Sequence, residues 1–141
     1  MQTITNQASF GPSKGTNVAD KLTGTVLLVE DEVLLRRMMS RTLRRFGLTV
    51  LEANDGREAL DILEQHADEV SAIILDWNMP RLSGPATLQA LGEKEFNIPV
   101  VVLSGQDIDD EMTATKGVWD FLPKPCPRAE LRATLKEMLE Q

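Results

Sequence analysis

From residue 25 onward the chain alternates short apolar runs with amphipathic stretches of helical period. No other feature constrains its fold as strongly. The runs fall at 25–29 (TVLLV), 48–52 (LTVLE), 72–75 (AIIL) and 100–103 (VVVL), with a weaker fifth at 120–122 (DFL). The first, third and fourth read as continuously apolar. Strands of that kind bury both faces, as they do when helices cover both sides of a parallel sheet.

The intervening stretches predict helices. Leu35, Met38, Met39, Leu43 and Phe46 fall on one stripe, with Arg36, Arg37, Arg41, Arg44 and Arg45 mostly outside it. Gly47 then supplies a C-terminal stop. Asp55 is placed to cap a second helix running to about Gln65, with Ala59, Leu60 and Leu63 inward. Ser83 is placed to cap a third, with Pro85 in its first turn and Leu88 and Leu91 inward. A fourth, over 109–116, is short and poorly apolar. The last begins at about Arg128 and carries Leu131, Leu135, Met138 and Leu139 at helical spacing. Five strand–helix units predict an α/β domain over 25–141, a three-layer sandwich around a parallel sheet. Residues 1–24 are polar, rich in Thr, Ser, Asn and Gly, and lack periodicity. They read as a flexible leader or linker, the alternative for their last third being a helical turn around 18–22.

Composition narrows the function classes. The 141 residues fit one domain with a real core. Asp and Glu number 22 against 15 Lys and Arg, a net charge of −7, which argues against a general nucleic-acid binder. The one cysteine, Cys126, rules out an intrachain disulfide and suits a reducing compartment. No apolar run has the length to span a bilayer, and the N-terminus has no signal-peptide pattern. The expectation is a cytoplasmic domain with no membrane contact.

The chemistry collects at strand ends, where such sheets place their crevice. Glu30, Asp31 and Glu32 follow the first strand. Asp76 closes the third, Ser104 and Gly105 the fourth, and Lys124 lies beyond the fifth between Pro123 and Pro125. Carboxylates brought together raise one another's proton affinity, which a divalent cation and a lysine relieve. Hard oxygen donors suit Mg²⁺.

The segments VLLVEDE, LEANDGREAL, LDWNMPRLSG, VVVLSG and DFLPKP, in this order and near this spacing, resemble the response-regulator receiver domains of two-component signalling. The resemblance covers 25–141. It implies a flavodoxin-like (βα)5 fold with sheet order 2-1-3-4-5. By position it makes Asp76 the phosphoacceptor. Asp31 would bind Mg²⁺ (or Mn²⁺) directly and Glu30 through water, and the Asn78 backbone carbonyl would be a further ligand. Ser104 would hydrogen-bond a phosphoryl oxygen, and Lys124 would pair with Asp76 and then with the phosphoryl group. The Lys124–Pro125 bond would be cis. Phe121 stands at the switch-aromatic position. The donor would be the phosphohistidine of a histidine kinase or phosphotransfer protein. An unnamed downstream protein would read the fourth helix, fifth strand and fifth helix. The implied module catalyses only its own phosphorylation and dephosphorylation. It would be a monomer or a phosphorylation-dependent dimer, and either a stand-alone regulator or the receiver of a hybrid histidine kinase.

Several positions depart from the family. The stretch between Ser104 and Lys124 is slightly short, with the loss in the fourth helix. Ser104 replaces the commoner Thr, Cys126 stands where Phe usually follows Lys–Pro, and Trp77 replaces an aliphatic residue. Asn78 and Gln106, which flank the expected phosphoryl position where the family tunes hydrolysis, are both amides and not strong bases, so an intermediate-to-long phosphoryl lifetime is expected. Gly105 would leave room for the incoming group. Other residues have plainer readings: His66 as a solvated side chain, Cys126 as a small buried thiol, the arginines of the first helix as a solvated face or a steering surface for an acidic kinase, and Trp119 as a docking anchor or a partly buried side chain. Three rivals remain. A haloacid-dehalogenase-type phosphatase wants a second Asp where this chain has Asn78. A flavodoxin wants a Ser/Thr/Gly-rich first loop where this chain has acids. A docking-only pseudo-receiver would not need the full acid set.

Overall fold

The computed structural model describes residues 20–141, so residues 1–19 of the leader expected over 1–24 lie outside the described residues. Five strands alternate with five helices: β1 (Thr25–Val29), α1 (Val33–Arg45), β2 (Thr49–Ala53), α2 (Gly56–His66), β3 (Ala72–Asp76), α3 (Gly84–Glu93), β4 (Val100–Ser104), α4 (Asp110–Thr113), β5 (Val118–Pro123) and α5 (Arg128–Leu139). A short 3₁₀ turn, Ala67–Glu69, follows α2. All strand pairs are parallel and the sheet order is β2-β1-β3-β4-β5. This is the flavodoxin-like order 2-1-3-4-5.

Alternation along the strands feeds two cores. Leu27, Val29, Ile73, Leu75, Val100 and Val102 point to one face, against Ala59, Leu60 and Leu63 of α2 and Leu88 and Leu91 of α3. Val26, Leu28, Ile74, Val101 and Leu103 point to the other, against Leu43 of α1 and Leu131, Leu135 and Met138 of α5. Both faces are covered, which is why these runs are apolar at consecutive positions. Each fully buried Leu or Ile contributes about 1.5–3 kcal/mol from area removed from water.

The helix caps follow the sequence signals. The Asp55 carboxylate accepts from the Glu58 N–H at 2.8 Å, and Ser83 Oγ from the Ala86 N–H at 3.4 Å. Gly47 ends α1 at φ +108, and a Cβ there would lie 2.5 Å from the Leu22 carbonyl oxygen. Leu22 is itself buried, and its N–H donates to the Phe46 carbonyl at 2.7 Å. Core packing therefore starts ahead of β1.

Three local expectations are corrected. Met38 is 67% exposed, because it lies about 100° around the helix from Met39 and falls outside the stripe that touches the sheet. The α1 contact face runs through Met39, Ser40 and Leu43 to Phe46 just past its end, and Arg36 folds inward with its side chain only 16% exposed. The α4 helix is a single turn, not the span 109–116, since only Met112 gives it a buried anchor. β5 extends over six residues, not three, because β4 pairs with it from Val118 to Pro123, with a register shift that skips Trp119.

Candidate functional site

Parallel register sets the site. Val29 pairs with both Ala53 and Leu75, Asp76 with Leu103, and Ser104 with Pro123. The residues at or just past these pairs therefore emerge at one edge of the sheet: Glu30, Asp76, Ser104 and Lys124. Glu30, Asp76 and Ser104 are all buried. Lys124 Nζ lies 3.0 Å from Glu30 Oε1 and 3.3 Å from Asp76 Oδ1. Carboxylate oxygens of Glu30, Asp31 and Asp76 lie within 4.8 Å of one another. Glu30 Oε2 also accepts from the Glu32 N–H at 3.1 Å, which leaves its head fixed at both oxygens.

The electrostatics follow from this crowding. Burial and the neighbouring Glu30 charge push the Asp76 carboxyl up to about 7, against the pull of Lys124. Burial alone would lower the Lys124 ammonium. Its bond to Glu30 and the charges of Asp76 and Glu30 outweigh that, and its pKa is raised. The acid set is thus short of positive charge, with one lysine facing three carboxyls. Three hard oxygen donors at this spacing fit a small divalent cation such as Mg²⁺, which uses one or two carboxylates and retains several waters.

Loops close the site through backbone contacts. The Asn78 N–H donates to Asp76 Oδ1 at 3.3 Å, and the Asn78 side chain is exposed. Gly84 brings the start of α3 against the end of β3, and its N–H bonds to the Trp77 carbonyl at 3.0 Å. A Cβ there would sit 2.7 Å from that carbonyl oxygen. At Gly105 a Cβ would meet nothing within 4 Å, so crowding in this structure does not require glycine there. The Lys124–Pro125 peptide is cis.

The response regulator receiver domain model matches residues 26–136. The chain belongs to that family. The receiver is 40% identical over 119 residues to "Sensor kinase CckA" of Brucella abortus, a match covering 83% of this chain and 13% of that protein. It is 36% identical over 118 residues to "Response regulator MprA" of Mycolicibacterium vanbaalenii, covering 82% of this chain and 50% of that protein. The chain thus spans at most about half the length of these two relatives. The crystal structure of the receiver domain of the hybrid histidine kinase CckA superposes with a TM-score of 0.70 at 38% identity, over 82% of this chain and 99% of that one. The protein is a receiver domain of two-component signalling.

The remaining sequence candidates have the following surroundings. Ser104 Oγ is turned to its own loop, accepting from the Gln106 N–H at 3.1 Å and donating to its carbonyl at 3.3 Å. Gln106 Nε2 reaches Met112 Sδ at 3.3 Å, towards α4. Phe121 is half-buried and meets Trp77 edge-on, with ring centroids 5.6 Å apart and planes at 74°. Trp119 is 41% exposed on β5. Cys126 is half-buried, and burial beside Glu130 pushes its thiol up, away from nucleophilic character. His66 is solvated and pairs with Glu69 at 2.7 Å.

Sequence reasoning missed two polar networks. Arg36, Ser40 and Glu52 form one between α1 and β2. Asp55 and Arg81 form the other, linking the α2 cap to the loop after β3. The available signals were Glu52, a charge inside a strand, and Arg36, an arginine close to the α1 apolar stripe. No helix among the described residues is long and apolar enough to cross a membrane.

Proposed function

We propose that this receiver accepts a phosphoryl group on Asp76 in a Mg²⁺-dependent step. The observation that carries the reading is the convergence of Lys124 on Glu30 and Asp76, with Asp31 beside them. The donor is the phosphohistidine of a histidine kinase or phosphotransfer protein. An Asp76 carboxylate oxygen attacks phosphorus in line and forms an acyl phosphate. The bond from phosphorus to the donor nitrogen breaks, and the released imidazole takes the bonding pair and a proton from water. Such a step asks little covalent chemistry of the protein and much positioning.

Asp31, Asp76 and the Asn78 backbone carbonyl would hold the cation directly and Glu30 through water, and the cation would supply charge neutralisation for the phosphoryl oxygens. Lys124 holds Asp76 before transfer and a phosphoryl oxygen after it. Ser104 leaves Gln106 to bond another phosphoryl oxygen. Because Gln106 also touches Met112, that rotation draws on the single turn of α4. Phe121 moves with it, and the α4–β5–α5 surface changes for a downstream protein. The exposed side chains Val33, Leu34 and Met38 of α1, among its arginines, are where the donor docks. The setting is cytoplasmic.

The test is intact-mass spectrometry after incubation with acetyl phosphate, with and without Mg²⁺, on wild type and Asp76→Asn. The expected result is one phosphoryl adduct that needs both Mg²⁺ and Asp76. No adduct on folded protein would turn the reading to a docking-only pseudo-receiver.

A further inference from the structure

The peptide that joins Glu30 to Asp31 is held from outside the acid cluster. Arg36 Nη1 donates to the Glu30 carbonyl oxygen at 2.8 Å. Its Nε donates to Glu52 Oε1 at 3.2 Å, and Ser40 Oγ donates to Glu52 Oε2 at 3.0 Å. The guanidinium is thus fixed at two points, one on β2 and one on the turn after β1. The Glu30 N–H is tied as well, to the Ala53 carbonyl at 3.0 Å. Asp31 is the one cluster carboxylate with no Lys124 contact; its side chain reaches Asp76, and its backbone is set by this peptide. A charge-assisted bond from a planar, two-pronged donor is suited to holding such a peptide against rotation.

We propose that Arg36 is a positioning residue for the acidic pair. By fixing the Glu30–Asp31 peptide it aims Asp31 at the cation and raises the affinity of the cluster for Mg²⁺. The inference rests on the reading of the cluster as a cation site. Outer partners of metal ligands cost about 10–100-fold in metal affinity when removed. Arg44 supplies the control: it lies 3.7 Å from Glu52 but makes no bond to Glu30.

The experiment is Mg²⁺ titration followed by Trp77 fluorescence, in a Trp119→Phe background that leaves Trp77 as the one tryptophan. Arg36→Met should raise the half-saturating Mg²⁺ concentration about tenfold or more. Its acetyl-phosphate reaction at saturating Mg²⁺ should keep the parental rate. Arg44→Met should leave the half-saturation point unchanged. Glu52→Gln, which retains an oxygen to accept from Arg36, should shift it less than Arg36→Met. A purely structural role would lower the melting temperature without moving the half-saturation point. An unshifted Arg36→Met, or an equal shift in Arg44→Met, overturns the proposal. A parental protein with no Mg²⁺ response overturns the cation reading and this inference with it. If Arg36→Met does not fold, Arg36→Lys carries the same criterion, since it keeps a charge but cannot hold both partners.

Discussion

Replacing Asp76 by asparagine should stabilise the metal-free protein, and increasingly so as pH rises. In the fold Asp76 holds its proton up to about 7, against an ordinary value of 3.8. Between those values the unfolded chain has lost the proton and the native state has kept it. Stability therefore falls as pH rises through this window and levels off above it. At about 1.4 kcal/mol per pH unit, the ceiling on the loss is about 1.5 kcal/mol by pH 5 and about 4 kcal/mol by pH 8. An amide of the same shape does not ionise. It can still accept from Lys124 and the Asn78 N–H. The stability gap between Asp76→Asn and wild type should thus widen by up to about 2.5 kcal/mol between pH 5 and pH 8. Urea unfolding of both proteins in chelator at the two pH values measures the gap directly, and carboxyl groups outside the cluster cancel in the difference. Mg²⁺ at pH 8 should close the gap, because it stabilises the intact acid set more than the variant. A gap that stays the same at both pH values would refute the electrostatic account of the cluster, as would a more stable wild type at pH 8.

Two further outcomes follow from the same geometry. Gly84→Ala should destabilise the protein by about 1–3 kcal/mol, because its Cβ would press on the Trp77 carbonyl oxygen at 2.7 Å and Cα at 2.8 Å; thermal denaturation checks this, and an unchanged melting temperature would show that α3 can retreat. The phosphoryl group on Asp76 should outlast that of a receiver with a base beside the phosphoryl site, because Asn78 and Gln106 are amides and Gln106 points to Met112; mass-spectrometric decay within seconds would contradict it.

Much of the site was legible because its residues end strands. Asp76, Ser104 and Lys124 each follow an apolar run, and a parallel sheet carries such positions to one edge whatever the helices do. The caps Asp55 and Ser83 were legible because capping is local. Met38 was misread because an apolar residue close to the stripe looks the same as one within it until α1 has docked. α4 was overextended because one buried side chain, Met112, is all that holds it. Ser104 shows the reverse case: its residue type fits a phosphoryl ligand, but its present partners are in its own loop.

The amino-acid sequence by itself determined the alternating α/β order, the two-sided burial of the sheet and the identity of the acid set. These depend on periodicity and on residue type, which are properties of the chain. Tertiary structure alone decided that Lys124 bridges Glu30 and Asp76, that Trp77 meets Phe121, and that Arg36 grips the peptide between the two acids. Lys124 and Glu30 are 94 residues apart, and only strand register brings them within 3.0 Å. Long side chains such as arginine can turn to solvent or inward at similar cost. Which they do is set by the partner that packing places within reach, here Glu52 on the neighbouring strand.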